Sequence, residues 1–67
     1  MNVKIKDDYI KLCQAMKLAG LIDTGADAKH LIQDGHVKVN GQIEIQRGKK
    51  LRPGDTIEFE GKTVTIE

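Results

Sequence analysis

TGADAKHLIQDGHVKVNG, residues 24–41, changes its period halfway along. Ala28, Leu31 and Ile32 recur at helical spacing, with Lys29, His30, Gln33 and Asp34 away from them or at the edges. The first half therefore predicts a helix with one apolar face. Thr24 and Asp27 have the spacing of a capping-box variant, which would satisfy amides left open at the helix start. Gly35 suits the position just past the helix, where the backbone turns left-handed. Beyond it the period drops to two, with Val37 and Val39 pointing one way and His36 and Lys38 the other. Asn40-Gly41 then marks a tight hairpin. A three-residue loop over Val39, Asn40 and Gly41 pairs Val37 with Ile43 and Lys38 with Gln42, which makes the apolar faces agree.

Upstream, Asn2 to Lys6 alternates as a short half-buried strand. Asp7 or Asp8 offers an N-cap for a helix whose apolar face is Tyr9, Leu12, Cys13, Met16 and Ala19. Gly20 stops that helix, and Leu21 and Ile22 plug the core between the two helices. Their connection is so short that they must pack as neighbours. Downstream, Gln46 to Arg52 shows no period and reads as a loop. Pro53-Gly54 fits the centre of a type II turn. Thr56 to Glu60 is a strand with Ile57 and Phe59 inward, and Gly61-Lys62 forms a II′ loop that pairs Phe59 with Val64 and Ile57 with Ile66. The outer face of this last hairpin is Thr56, Glu58, Glu60, Thr63, Thr65 and Glu67, which is acidic. Helices come together and then strands come together, so the class is α+β. The expected architecture is two packed helices, then a small, mainly antiparallel, twisted sheet, plus a short N-terminal strand. Sixty-seven residues are expected to form one domain over 1–67.

Composition narrows the function. One cysteine permits no internal disulfide, and no apolar run approaches the roughly 20 residues of a membrane span. The expected setting is cytoplasmic, with no membrane partner. The sequence contains no serine, so there is no serine nucleophile. Cys13 falls mid-helix on the apolar face, as a core cysteine does. His30, His36 and Cys13 lack zinc-ligand spacing, and Gly-rich phosphate loops are absent. The expectation is a non-enzyme with no metal and no cofactor.

The total charge of +1 conceals an uneven distribution. Residues 1–35 balance five Lys with five Asp; residues 36–52 carry +4; residues 53–67 carry −3. Arg47, Lys49, Lys50 and Arg52 lie within six positions, and Lys38, His36 and Lys29 project from the adjoining strand and helix. The amides at Gly25 and Ala26, beside Thr24, could meet a phosphate at the start of the second helix, although Asp27 opposes an anion there. Together these residues suggest one exposed cationic face for nucleic acid. With only Tyr9 and Phe59 as aromatics, such a face would read phosphates and shape rather than stacked bases.

The run from Ala28 to Gly41 resembles the core of the S4-like RNA-binding domain, also called the αL motif. Leu18-Ala19-Gly20-Leu21-Ile22 and Leu51-Arg52-Pro53-Gly54-Asp55 are similar to that family too. Thr24-Gly25 and Arg47-Gly48-Lys49-Lys50-Leu51 resemble its small stand-alone bacterial subfamily. Many family members carry Ser-Arg where this chain has Thr24-Gly25, so that arginine contact has no counterpart here. The resemblance implies RNA binding through the face that joins the second helix, the following strand and the basic loop; the expected partner is structured RNA, ribosomal or transfer, with the ribosome as a candidate, and the expected state is a monomer. It implies contacts from Lys29, His36 and Lys38, and, from the subfamily run, Arg47, Lys49 and Lys50. The competing expectation is a protein-interaction adaptor that docks on a ribosomal protein or partner enzyme through the acidic hairpin face.

Overall fold

The computed structural model describes residues 1–23 and 25–67. Thr24, expected as an N-cap and as an RNA contact, lies outside the described residues. The elements are β1 (Asn2–Val3), β2 (Ile10–Lys11), α1 (Leu12–Leu18), α2 (Gly25–Gln33), β3 (Val37–Val39), β4 (Gln42–Ile43), β5 (Lys50–Leu51), β6 (Thr56–Phe59) and β7 (Lys62–Ile66). A five-stranded sheet runs in the order β1-β7-β6-β3-β4, and β2 and β5 form a separate two-stranded ladder. The fold is α+β. Within the large sheet only β1 runs parallel to its neighbour.

Both helices end by one device. In α1 the Gly20 N–H donates to the Lys17 carbonyl and the Leu21 N–H to the Met16 carbonyl, both at 3.0 Å. In α2 the Gly35 N–H donates to Ile32 and the His36 N–H to Leu31, both at 3.1 Å. These are paired Schellman bonds, and they need a left-handed residue just past the helix. Gly20 (φ 74°) and Gly35 (φ 81°) supply it without a Cβ penalty. The reversal after Gly35 sends β3 back along the core, so Val37 and Val39 are buried while His36 and Lys38 are exposed.

Leu12, Ala15 and Met16 of α1 meet Ala28 and Ile32 of α2 in one cluster with Val37, Ile57, Phe59, Val64 and Ile66 from the sheet. Ile22 joins it between the helices, with Leu21 and Leu31 half-buried at its margin. Cys13 is also half-buried, packed against the cluster. The apolar faces expected on β3, β6 and β7 are therefore the ones that fill the interior.

Several expectations are corrected. The first strand is confined to Asn2–Val3. The first helix begins at Leu12, not near Asp7 or Asp8, and Lys11 occupies its N-cap without a side-chain bond. Tyr9 precedes the helix and is exposed rather than on its buried face. The segment from Gln46 to Arg52 is not all loop, because Lys50–Leu51 pairs with Ile10–Lys11 and Leu51 is fully buried.

Both hairpin registers also differ. Val39 pairs with Gln42 and Lys38 with Ile43 around a two-residue loop. Asn40 and Gly41 both have positive φ, 52° and 83°, the signature of a type I′ turn. Turn chemistry overrides the hydrophobic pattern here because β4 is a two-residue edge strand with no second layer to satisfy. Its Ile43 is 61% exposed and does not hold the unit on the core. In the last hairpin, Phe59 pairs with Lys62 and Ile57 with Val64 around Glu60-Gly61, again with both φ positive. This register is two residues from the expected one, so every side chain keeps its face. The Pro53-Gly54 turn is as expected: Asp55 N–H donates to the Arg52 carbonyl at 3.0 Å and Gly54 has φ 101°.

Candidate nucleic-acid interface

The basic loop hangs on the start of α1. The first helical amides, which have no intrahelical acceptor, find acceptors in this loop: Leu12 N–H donates to the Lys49 carbonyl at 2.9 Å and Cys13 N–H to the Arg47 carbonyl at 3.1 Å. That explains why Lys11 can stand at the N-cap without a capping side chain. The β2–β5 ladder adds a second attachment, with Leu51 driven into the core opposite Ile10. These two attachments are made by backbone bonds and the Leu51 side chain. The side chains of Arg47, Lys49, Lys50 and Arg52 are left exposed.

The nearest acids in the sequence are turned toward the backbone. Glu44 Oε2 accepts from the Ile45 and Gln46 N–H groups at 3.1 and 3.2 Å. Asp55 Oδ2 accepts from the Arg52 N–H at 2.8 Å, and its Oδ1 accepts from Asn40 Nδ2 at 3.1 Å. The Arg52 amide and then the Asn40 side chain hold the Asp55 carboxyl below its ordinary value against the opposing effect of burial, and the charges of Lys49 and Arg52 add lesser help. Asn40 Oδ1 in turn accepts from the Thr56 N–H at 3.0 Å, and the Asn40 N–H donates to the Thr56 carbonyl at 3.0 Å. Asn40 and Asp55 thus clip the β3–β4 turn to the turn that closes the basic loop.

Two cations face each other where that loop meets β2. Lys11 and Lys50 are directly opposed across the β2–β5 ladder, and both are exposed. Opposed like charges destabilise a strand pair. Lys50 Nζ lies 4.9 Å from the centroid of the Tyr9 ring, a cation–π contact that offsets part of that repulsion. An anion at this position would offset the rest. Sequence reasoning missed Tyr9 and Lys11 because a two-residue ladder leaves no periodic trace.

The remaining expected contacts are distributed more widely. His36 and Lys38 share a shallow cleft with Lys62, Glu58 and Glu60, and Lys38 is in register with Glu58 on β6. This pair therefore stands at the margin of the acidic face, so an anion there meets both signs of charge. Lys29 is exposed on α2, and Gly25 is that helix's first residue. The structure groups Arg47, Lys49, Lys50 and Arg52 on one loop and places His36 and Lys38 in a second cluster. Between the two along the chain, Ile43 and Ile45 are exposed at 61% and 59%.

A family model for the S4 domain matches residues 3–67. The Escherichia coli (strain K12) protein YbcJ is 38% identical over 61 residues, which cover 91% of this chain and 87% of that protein. A Bacillus subtilis (strain 168) protein named probable ribosome maturation protein RlbA is 39% identical over 59 residues, 88% of this chain and 83% of its own. The solution structure of Escherichia coli YbcJ, described as revealing an αL motif involved in RNA binding, superposes with a TM-score of 0.74 at 35% identity. That superposition covers 97% of this chain and 84% of YbcJ.

Proposed function

The chain belongs to the S4 domain family, and on that premise we propose that it is a non-catalytic RNA-binding protein that grips structured RNA by its phosphates. The observation that carries this reading is the basic loop. It carries four exposed cations on a backbone bonded to α1 at Arg47 and Lys49 and paired with β2 at Lys50, and the neighbouring carboxylates of Glu44 and Asp55 are engaged with amides. Cations on a preorganised backbone meet phosphates at little cost in backbone ordering, and they read shape more than base identity. Ribosomal RNA is the favoured target and transfer RNA the next. The name of the Bacillus subtilis relative supports a place in ribosome maturation. The protein acts as a cytoplasmic monomer, as a single domain over residues 1–67.

Arg47, Lys49, Lys50 and Arg52 form the main contact in this reading. Lys29, His36 and Lys38 add secondary contacts, and Thr24 and Gly25, at the start of the second helix in the sequence, are proposed as further contacts. Docking of a protein on the acidic hairpin face is the weaker alternative, because Lys38 and Lys62 stand among Glu58 and Glu60. A salt titration of binding to a structured ribosomal RNA fragment tests the proposal. The log–log slope should fall on the order of −3 to −5, and an Arg47→Ala, Lys49→Ala, Lys50→Ala variant should lose about 2 to 3 of that slope. No affinity at low salt, or an unchanged slope in the variant, would overturn it.

A further inference from the structure

A second cleft, of about 550 Å3, lies between the 4–10 segment and α1, outside the basic loop. Lys4, Lys6 and Lys17 stand around it, with Ile5, Leu18 and Tyr9 as its apolar surface. The three lysines are exposed, and Leu18 is 67% exposed. Asp7 is the one acid in the lining, so the cleft is cationic on balance. Tyr9 joins this cleft to the basic loop. Tyr9 lines the cleft, and Lys50 of the loop sits over its ring at 4.9 Å.

We propose that this cleft receives an unpaired strand leaving the structured RNA held by the basic loop, with one base packed against Tyr9 and Leu18 and its phosphates met by Lys4, Lys6 and Lys17. The inference rests on the RNA-binding reading above and extends it from a grip on shape to a preference for a junction between paired and unpaired RNA. Charge complementarity and continuity with the basic loop both favour a nucleic acid over an acidic peptide. A lone aromatic limits stacking to a single base, so the cleft adds affinity without reading a sequence.

Two stem-loop RNA probes test this, one blunt and one carrying an unpaired tail of about six nucleotides. Wild-type protein should bind the tailed probe about tenfold more tightly, with a salt slope steeper by about 2 for three single-strand phosphates. A Lys4→Gln, Lys6→Gln, Lys17→Gln variant should lose that gain and keep the blunt affinity. The sequence has one tyrosine and no tryptophan, so intrinsic tyrosine emission reports on the cleft directly. It should be quenched by the tailed probe more than by the blunt one. Equal affinity for both probes, or equal loss of both in the variant, would overturn the inference and leave the basic-loop reading standing. Binding of an acidic peptide with no gain from the tail would overturn it in favour of a protein partner. Failure of the wild type to bind either probe would sink both readings.

Discussion

Asn40 offers a sharp test of how the β3–β4 turn holds the base of the basic loop. Its side chain donates to Asp55, accepts from the Thr56 N–H, and accepts from Thr56 Oγ1 at 3.4 Å. Its backbone sits at φ 52°, a region that asparagine tolerates and alanine does not. Asn40→Gly removes the three side-chain bonds and keeps the turn geometry. All three bonds are exposed, so their combined loss should cost about 1–2 kcal/mol. Asn40→Ala removes the same bonds and adds the left-handed penalty, roughly a further 1 kcal/mol. For a domain of this size each 1 kcal/mol lowers Tm by about 4–8 °C. Asn40→Asp keeps the acceptor for Thr56 but sets a second carboxylate beside Asp55. That variant should be the least stable of the three at pH 7 and should recover as acid protonates one of the pair. Thermal unfolding followed by far-ultraviolet circular dichroism ranks the four proteins. A glycine variant that melts with the wild type would refute the clip. Alanine and glycine variants that melt together would refute the turn assignment.

Leu51→Ala should cost about 2–5 kcal/mol by chemical denaturation, because a fully buried side chain leaves a cavity where the basic loop is anchored. Lys11→Gln should stabilise the protein by about 0.2–1 kcal/mol at low salt by relieving the opposed pair with Lys50, and the gain should vanish as screening increases; no change at low salt would show the lysines are already apart. Gly35→Ala should destabilise by about 1–2 kcal/mol through its backbone alone, since a Cβ there would meet Ile43 Cγ2 at an ordinary 3.6 Å. Asp55 has a lowered native pKa, so its contribution to stability is complete above its ordinary value of 3.8 and is lost as pH falls through the native one. The stability gap between wild type and Asp55→Asn should therefore hold steady from neutral pH down to about 5 and close below about 4; a gap that persists in strong acid would show that the carboxylate's charge is not involved.

The readable parts of this fold were those with local physical causes. Gly20 and Gly35 end their helices because only a residue free of Cβ strain fits the Schellman geometry. Val37, Val39, Ile57 and Phe59 alternate because each strand has one wet face and one dry face. What could not be read was non-local. The β2–β5 ladder has two residues on each side, too few for any period, and Leu51 looked like one apolar residue in a basic loop. The β3–β4 register depended on whether a turn or a face would prevail, and an edge strand lets the turn prevail. The candidate site divides in the same way. The charge run from Arg47 to Arg52 was plain in the sequence. Its attachment to α1 and its link to Tyr9 were not, because they run between residues 34 to 41 positions apart.

The pairing of β1 with β7 sets an order of events. Asn2 is in register with Thr65 and Val3 with Ile66, and the Thr65 N–H donates to the Met1 carbonyl at 2.9 Å. Two strands far apart in the chain thus depend on each other, and the earlier-made one waits for the later. On a ribosome, where synthesis runs at about 5–20 residues per second, α1, α2 and β3 can meet while β1 still has nothing to pair with. Closing the long loop between β1 and β7 comes after the shorter closures have been made. Destabilising β1 should therefore quicken unfolding and leave the folding rate almost untouched, as expected of a strand that docks after the rate-limiting barrier.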